Sequence, residues 1–155
     1  MTSLLIIFTA SFLLWIMFGG VFVLWLFDGK FKKEAALHAI FASILVWVIS
    51  EMIKQLIPTT RPFLINGDTI RTLTLHLDSS FPSTHTAVAF ALASTIYLHD
   101  MKKGSLYFIL ATLVGLGRVF ANVHFPLDIF FGAILGIITS YTIGKLHLFG
   151  LVKAR

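Results

Sequence analysis

The sequence predicts an all-α integral membrane bundle of about five transmembrane helices, with a long loop between the second and third. Three observations predict it. Of the 155 residues, 57% are hydrophobic and only 12% are charged, whereas a soluble domain carries about 25% charged residues. The hydrophobic residues come in blocks rather than amphipathic stripes, and a spanning helix needs about 20 mostly apolar residues. The basic residues gather in short connections between blocks, where they set topology. They are too dispersed for a nucleic-acid surface. There are no cysteines, which excludes disulfides, thiolate metal sites and cysteine nucleophiles.

The first block, Thr2 to Phe27, is too long for a signal-peptide core and lacks a basic start. It reads as a retained helix, with Gly19 and Gly20 as a close-packing or bending point. Asp28 to Glu34 is a short basic loop. The second block, Ala35 to Ile57, is apolar until Glu51 and Lys54, and Pro58 closes it. Pro58 to Phe81 is a long polar segment, and a connection of that length is often functional. The third block runs from Ser83 to His99, followed by the turn DMKKGS. The fourth runs from Leu106 to Ala121, and the fifth from Pro126 to about His147, before the tail LVKAR. The whole chain, 1–155, reads as one domain without repeats.

Five helices put alternate connections on opposite sides. One side holds Lys30, Lys32, Lys33, Lys102, Lys103, Lys145, Lys153 and Arg155; the other holds Lys54, Arg61, Arg71 and Arg118. The lysine-rich side is therefore expected in the cytoplasm, and the other side facing outward. Four helix ends on that outward side carry the polar residues: Lys54 and Arg61, then Ser83, Thr84 and His85, then Arg118, then His124 and Asp128. The topology came from hydropathy alone, so their convergence is an independent signal.

The chemistry suggested is phosphate chemistry. Lys54, Arg61 and Arg118 can surround an anion of several oxygens, and arginine's planar fork suits phosphate. Ser83 is a candidate N-cap, which would aim free backbone N–H groups into the same space. Two histidines are available for two jobs, attack on phosphorus and protonation of the leaving oxygen. Pro126 suits a first helical turn. That places Asp128 where its carboxylate can hold Nδ1 of His124 and leave Nε2 free, the orienting role of the acid in a catalytic triad.

Three stretches, KQLIPTTRP (Lys54–Pro62), PSTH (Pro82–His85) and RVFANVHFPLD (Arg118–Asp128), resemble in order and spacing the three-part signature of the type 2 phosphatidic acid phosphatase superfamily. The resemblance covers about Glu51 to Gly136. It implies that Lys54, Arg61, Ser83, Thr84 and Arg118 bind phosphate, His85 is the general acid, His124 the nucleophile forming a phosphohistidine, and Asp128 its orienting partner. It implies no metal and no cofactor. Two positions depart from the family pattern: Thr84 stands where glycine is common, and Gly117 where serine is common. Family members commonly have six helices, so one N-terminal helix is expected to be missing.

Plainer readings exist for single residues. Lys54 alone would be a snorkelling helix-end lysine, and Ser83 alone an ordinary cap. Glu51, one turn before Lys54, is either an accessory group of the site or a simple ion-pair partner. Asp68, Arg71 and His76 read as solvated loop residues with a lid role open, and His38, His99 and His147 as interfacial or core polar groups. A site at the membrane surface between helices suits an amphiphile with an anionic head: a lipid phosphate or diphosphate, with membrane lipids as the other partners. FPSTHTA and RVFANVHFPLDI are also similar to bacterial undecaprenyl-diphosphate phosphatases of the bacitracin-resistance type. That implies undecaprenyl diphosphate as substrate in a bacterial cytoplasmic membrane. Phosphatidylglycerol phosphate, phosphatidic acid and lipid A phosphates are alternatives within the same chemistry. A lipid-linked phosphotransferase and a non-enzymatic scaffold or transporter are alternatives outside it.

Overall fold

The computed structural model describes residues 3–27, 33–73 and 78–145. His76, His147, Lys30, Lys32, Lys153, Arg155 and the Lys33 side chain lie outside the described residues. Among those described, the chain forms only helices: α1 (Ser3–Ser11), α2 (Leu13–Phe27), α3 (Lys33–Leu56), α4 (Pro62–Asn66), α5 (Thr84–His99), α6 (Met101–Phe120) and α7 (Pro126–Lys145).

Among the described residues, three helices, α3, α6 and α7, are long and apolar enough to cross a membrane, and the α1–α2 pair makes a fourth if it counts as one span. The first block is not one straight helix. It bends by 51° at Phe12, not at its glycines. Gly20 is instead a close-packing point, because a Cβ there would meet the Tyr107 hydroxyl, which itself donates to the Met17 carbonyl at 3.0 Å. The expected polar turn DMKKGS is helical from Met101 onward. Asp100 explains this: its carboxylate accepts the Lys102 and Lys103 N–H groups at 3.0 and 3.1 Å and so caps α6 directly. The long loop is interrupted by α4, which starts at Pro62 and ends at Gly67 in the left-handed region, φ 68°.

Helix α5 sits at the centre. With 16 residues it spans about 24 Å, shorter than a bilayer core, but it is buried from Thr84 to Ile96 apart from His85 and Phe90. Its side chains are small, with Ala87, Ala89, Ala91 and Ala93 all fully buried. That lets α3, α6 and α7 pack closely around it. The α5–α7 contact uses Gly132 and Gly136, spaced as in close-packed membrane helices. A Cβ on Gly132 would lie 2.7 Å from the Ser83 carbonyl oxygen, and one on Gly136 would lie 2.9 Å from the Ala91 nitrogen. The Thr95 and Ser140 hydroxyls add an interhelical hydrogen bond at 2.8 Å. Large apolar side chains such as Phe22, Trp47, Phe130 and Ile138 point outward, the arrangement of a protein whose surroundings are lipid.

Replacing Gly136 by Val should destabilise the protein by about 1–3 kcal/mol, since overpacking costs that much where backbone is the neighbour. Thermal unfolding in detergent reads this, and an unchanged Tm would contradict the close α5–α7 approach.

Candidate active site

The helix ends named above do meet. A cavity of about 450 Å³ is lined by Glu51, Lys54, Arg61, Thr84, His85, Arg118 and His124, with Asp78 beside them. Its other wall is apolar and comes from Leu14, Trp15 and Phe18 on one side and Ile40, Ile44 and Trp47 of α3 on the other.

Arg61 is tied into the site by several hydrogen bonds. It precedes Pro62 at the start of α4 and is 1% exposed. Its Nε donates to the Asp78 carbonyl at 2.9 Å, and its Nη1 to the Val123 carbonyl at 3.0 Å. Its Nη2 reaches the Asp78 carboxylate at 2.8 Å and the Ser79 carbonyl at 3.3 Å. One guanidinium thus joins the long loop to the α6–α7 turn. Lys54, buried in the last turn of α3, lies 3.1 Å from Glu51 and 2.8 Å from Asp78. The Asp78 carboxyl is partly buried, which raises it, but hydrogen bonds and charge from Lys54 and Arg61 hold it down at about 2.

The α6–α7 turn places His124. Asn122 adopts φ 64°, a left-handed conformation that asparagine tolerates, and its side-chain amide pairs reciprocally with that of Asn66 at 3.0 and 3.1 Å. Pro126 opens α7 as expected. Asp128 reaches back from the third helical position and accepts the Phe125 N–H at 2.8 Å, as a capping-box acid does. The same oxygen, Oδ2, lies 3.4 Å from His124 Nδ1, a charge contact longer than a good hydrogen bond. Nε2 points at the cations, 3.4 Å from Arg61 Nη1. His124 sits outside both helices. Burial pushes its imidazole down to about 4; the Arg118 and Arg61 charges add to this, and Asp128 opposes it.

Ser83 caps α5, accepting the Thr86 N–H at 3.4 Å, and its hydroxyl pairs with that of Thr86 at 3.0 Å. It is fully buried and is not among the residues lining the cavity, and its side chain serves as the expected cap. Thr84 lines the cavity and donates its hydroxyl to Glu51 at 3.0 Å. Glu51 is therefore more than the partner of Lys54, since it ties α3 to the start of α5. Asp68 and Arg71 are exposed, as solvated loop residues should be. His38 is buried with its ring 5.6 Å from that of the exposed His99, well away from this cavity.

Two contributions escaped the sequence reading. Asp78 carries no motif, although two cations seven residues apart call for a counter-charge and this acid lies just before the Ser83 cap. The second is α1. Arg118 Nη1 donates to the Ala10 carbonyl at 3.1 Å and contacts the Thr72 hydroxyl at 3.4 Å. The Ala10 carbonyl lies beside the helix break at Phe12, and no side-chain pattern announces it. Gly117 makes the approach possible. A Cβ there would lie 2.9 Å from both the Ala10 nitrogen and the Thr9 carbonyl carbon.

Comparison with known proteins fits this geometry. A family model described as PAP2 superfamily matches residues 35–148. The bacitracin transport permease protein BcrC of Bacillus licheniformis is 28% identical over 140 residues, covering 90% of this chain and 69% of that one. The undecaprenyl-diphosphatase BcrC of Bacillus subtilis (strain 168) is 30% identical over 119 residues, covering 76% of this chain and 61% of that one. The chain thus spans less than two thirds of the second relative. The crystal structure of Aquifex aeolicus LpxE superposes with a TM-score of 0.71 at 32% identity, covering 84% of this chain and 77% of that one.

Gly117→Ala and Gly117→Ser should both lower Tm, by about 1–3 kcal/mol of stability, because each puts a Cβ against α1 backbone. A stable Gly117→Ser protein would contradict the seating of α1 on Arg118.

Proposed function

The chain belongs to the PAP2 superfamily, and from that premise we propose that it is a membrane-embedded lipid phosphatase. Its favoured substrate is undecaprenyl diphosphate, cleaved to the monophosphate and inorganic phosphate through a phosphohistidine. One observation carries the reading: Lys54, Arg61 and Arg118 share a single cavity with His85 and His124, and that cavity continues into an apolar wall. The cations suit a phosphate group, and the apolar wall suits the tail of an amphiphile.

In this mechanism the phosphate settles among the three cations. The Nε2 lone pair of His124 attacks phosphorus, and the bond to the leaving oxygen breaks as His85 gives that oxygen a proton. Asp128 faces the developing charge at Nδ1. Water then attacks the phosphohistidine, His85 takes up a proton, and phosphate leaves. The orientation of His124 supports this division of labour, with Nδ1 toward Asp128 and Nε2 toward the cations. Lys54, Arg61, Thr84 and Arg118 bind the anion, and Glu51 steadies Lys54 and Thr84. No step uses a metal. The lysine-rich sequence beyond the other helix ends supports an outward-facing site in a bacterial cytoplasmic membrane. The relative named undecaprenyl-diphosphatase supports the choice of lipid.

Purified protein in detergent with a chelator should release phosphate from undecaprenyl diphosphate faster than from phosphatidic acid or phosphatidylglycerol phosphate. His124→Ala should reduce turnover by at least about 10³-fold while keeping its Tm. Wild-type activity in that variant would end the nucleophile assignment, and a preference for a glycerolipid would move the substrate.

The pH profile tests the state of His124. A depressed imidazole is neutral, and so nucleophilic, at every pH above its lowered value of about 4. The acid limb of kcat/KM should therefore fall near that pH and not near the ordinary histidine value of about 6.5. Activity already lost on going from pH 7 to pH 6 would contradict this.

A further inference from the structure

Lys54 and Arg61 already hold an anion. Asp78 Oδ2 lies 2.8 Å from Lys54 Nζ, and Oδ1 lies 2.8 Å from Arg61 Nη2. The two carboxylate oxygens are shared between the two cations, as two oxygens of a phosphate group would be. We propose that Asp78 is a displaceable internal anion of the phosphate site. It neutralises Lys54 and Arg61 when the site is empty, yields them to an incoming phosphate group, and competes for them again when inorganic phosphate must leave. This rests on the phosphatase reading of the cavity and adds to it a residue that sets which anions bind.

Three features separate this role from simple support of the cations. First, Arg61 does not depend on the Asp78 carboxylate for its position. The carbonyls of Asp78, Ser79 and Val123 accept from the same guanidinium. Second, Lys54 keeps Glu51 at 3.1 Å when Asp78 turns away. Glu51 is built into α3 and tied to Thr84, so it is the permanent partner and Asp78 the exchangeable one. Third, the Asp78 side chain is 37% exposed while Lys54 and Arg61 are buried. The backbone around it is held by the Ser80 N–H to the Thr59 carbonyl at 3.1 Å and the Ser79 hydroxyl to the Ile57 carbonyl at 2.9 Å. Rotation of one side chain into solvent is then enough to free the cations from Asp78, with no movement of the 78–80 backbone.

The electrostatics give the device a purpose. Without Asp78 the two buried cations would have only the Glu51 carboxylate beside them as counter-charge, and buried positive charge short of counter-charge is costly; the Asp78 carboxylate removes that cost. The same carboxylate weakens every anion that enters, because each must displace it. A lipid phosphate offsets the loss by placing its tail against the apolar wall of Trp15, Phe18, Ile44 and Trp47. Inorganic phosphate has no tail and cannot. Asp78 therefore biases the site toward tailed phosphates and against retention of the product.

The test uses the full chain in detergent with inorganic phosphate as probe, read by calorimetric titration and by the phosphate-induced gain in Tm. Asp78→Asn removes the charge with little change of shape, and Asp78→Ser removes the amide oxygen as well. Both should bind phosphate roughly tenfold more tightly than wild type and gain more Tm from it, even if they melt earlier without it. Equal or weaker phosphate binding in folded variants would overturn the proposal and make Asp78 a positioning residue. A variant that melts early and that phosphate does not rescue would overturn it too. Failure of the wild type and both variants to bind phosphate at all would instead sink the phosphate reading of the cavity, and the inference with it. Hydrolysis lost only in His124→Ala leaves that reading standing whichever way Asp78 behaves.

Discussion

The Arg61 guanidinium is almost entirely buried, and this end of the molecule is arranged around that fact. A buried charge is tolerable only when its hydrogen-bonding capacity is met. Arg61 meets it with acceptors drawn from the 78–79 segment and from the turn before α7. The guanidinium therefore acts as a rivet between segments far apart in sequence. Because His124 follows Val123, whose carbonyl accepts from Arg61, the same rivet sets where the imidazole stands. Lys54 and Asp78 extend the network to α3, and Glu51 extends it to α5 through Thr84. The buried charges also press on one another. Arg118 and Arg61 add to burial in keeping the His124 imidazole neutral, so the cluster proposed to bind an anion also keeps the proposed nucleophile unprotonated.

Such a network requires helix ends that stay within a few ångströms of their places, and the packing supplies this with small residues rather than large ones. Helix α5 offers alanines to every neighbour, and α7 offers Gly132 and Gly136. Backbones come close enough for the Ser83 N–H to donate to the Asp128 carbonyl at 3.1 Å. That bond joins the helix start carrying His85 to the one carrying Asp128. In a lipid environment, where apolar burial does not drive helices together, close backbone contact and interhelical hydrogen bonds take over that task. Bulky side chains are left for the outer surface, which explains the high phenylalanine content.

Helix α1 is the part whose role differs most from its place in the sequence pattern. It lies before the matched family region, yet the Ala10 carbonyl accepts from Arg118. The bend at Phe12 and the glycine at position 117 belong together: the first turns the chain, and the second leaves it room to approach. A serine at position 117 would bring a hydroxyl toward the site but would also collide with α1. The absence of serine there is thus a packing requirement of this chain.

Much was legible in the sequence. Apolar blocks gave the helices, because a chain must meet its own backbone hydrogen bonds in lipid. Lys54, Arg61, His85, Arg118, His124 and Asp128 stood out because charged groups at helix ends in an apolar chain are costly and few. The Ser83 cap and the Pro126 start followed from local backbone chemistry. What sequence could not decide depends on distance through space. Whether Ser83 faces the cavity or its own helix, where the first block bends, and which loop acid meets the cations are settled by packing among remote segments. Asp78 shows the difference most clearly. In the sequence it is one acid in a polar loop, and only the fold brings Lys54 and Arg61 to its two oxygens, because two buried positive charges need a negative one between them.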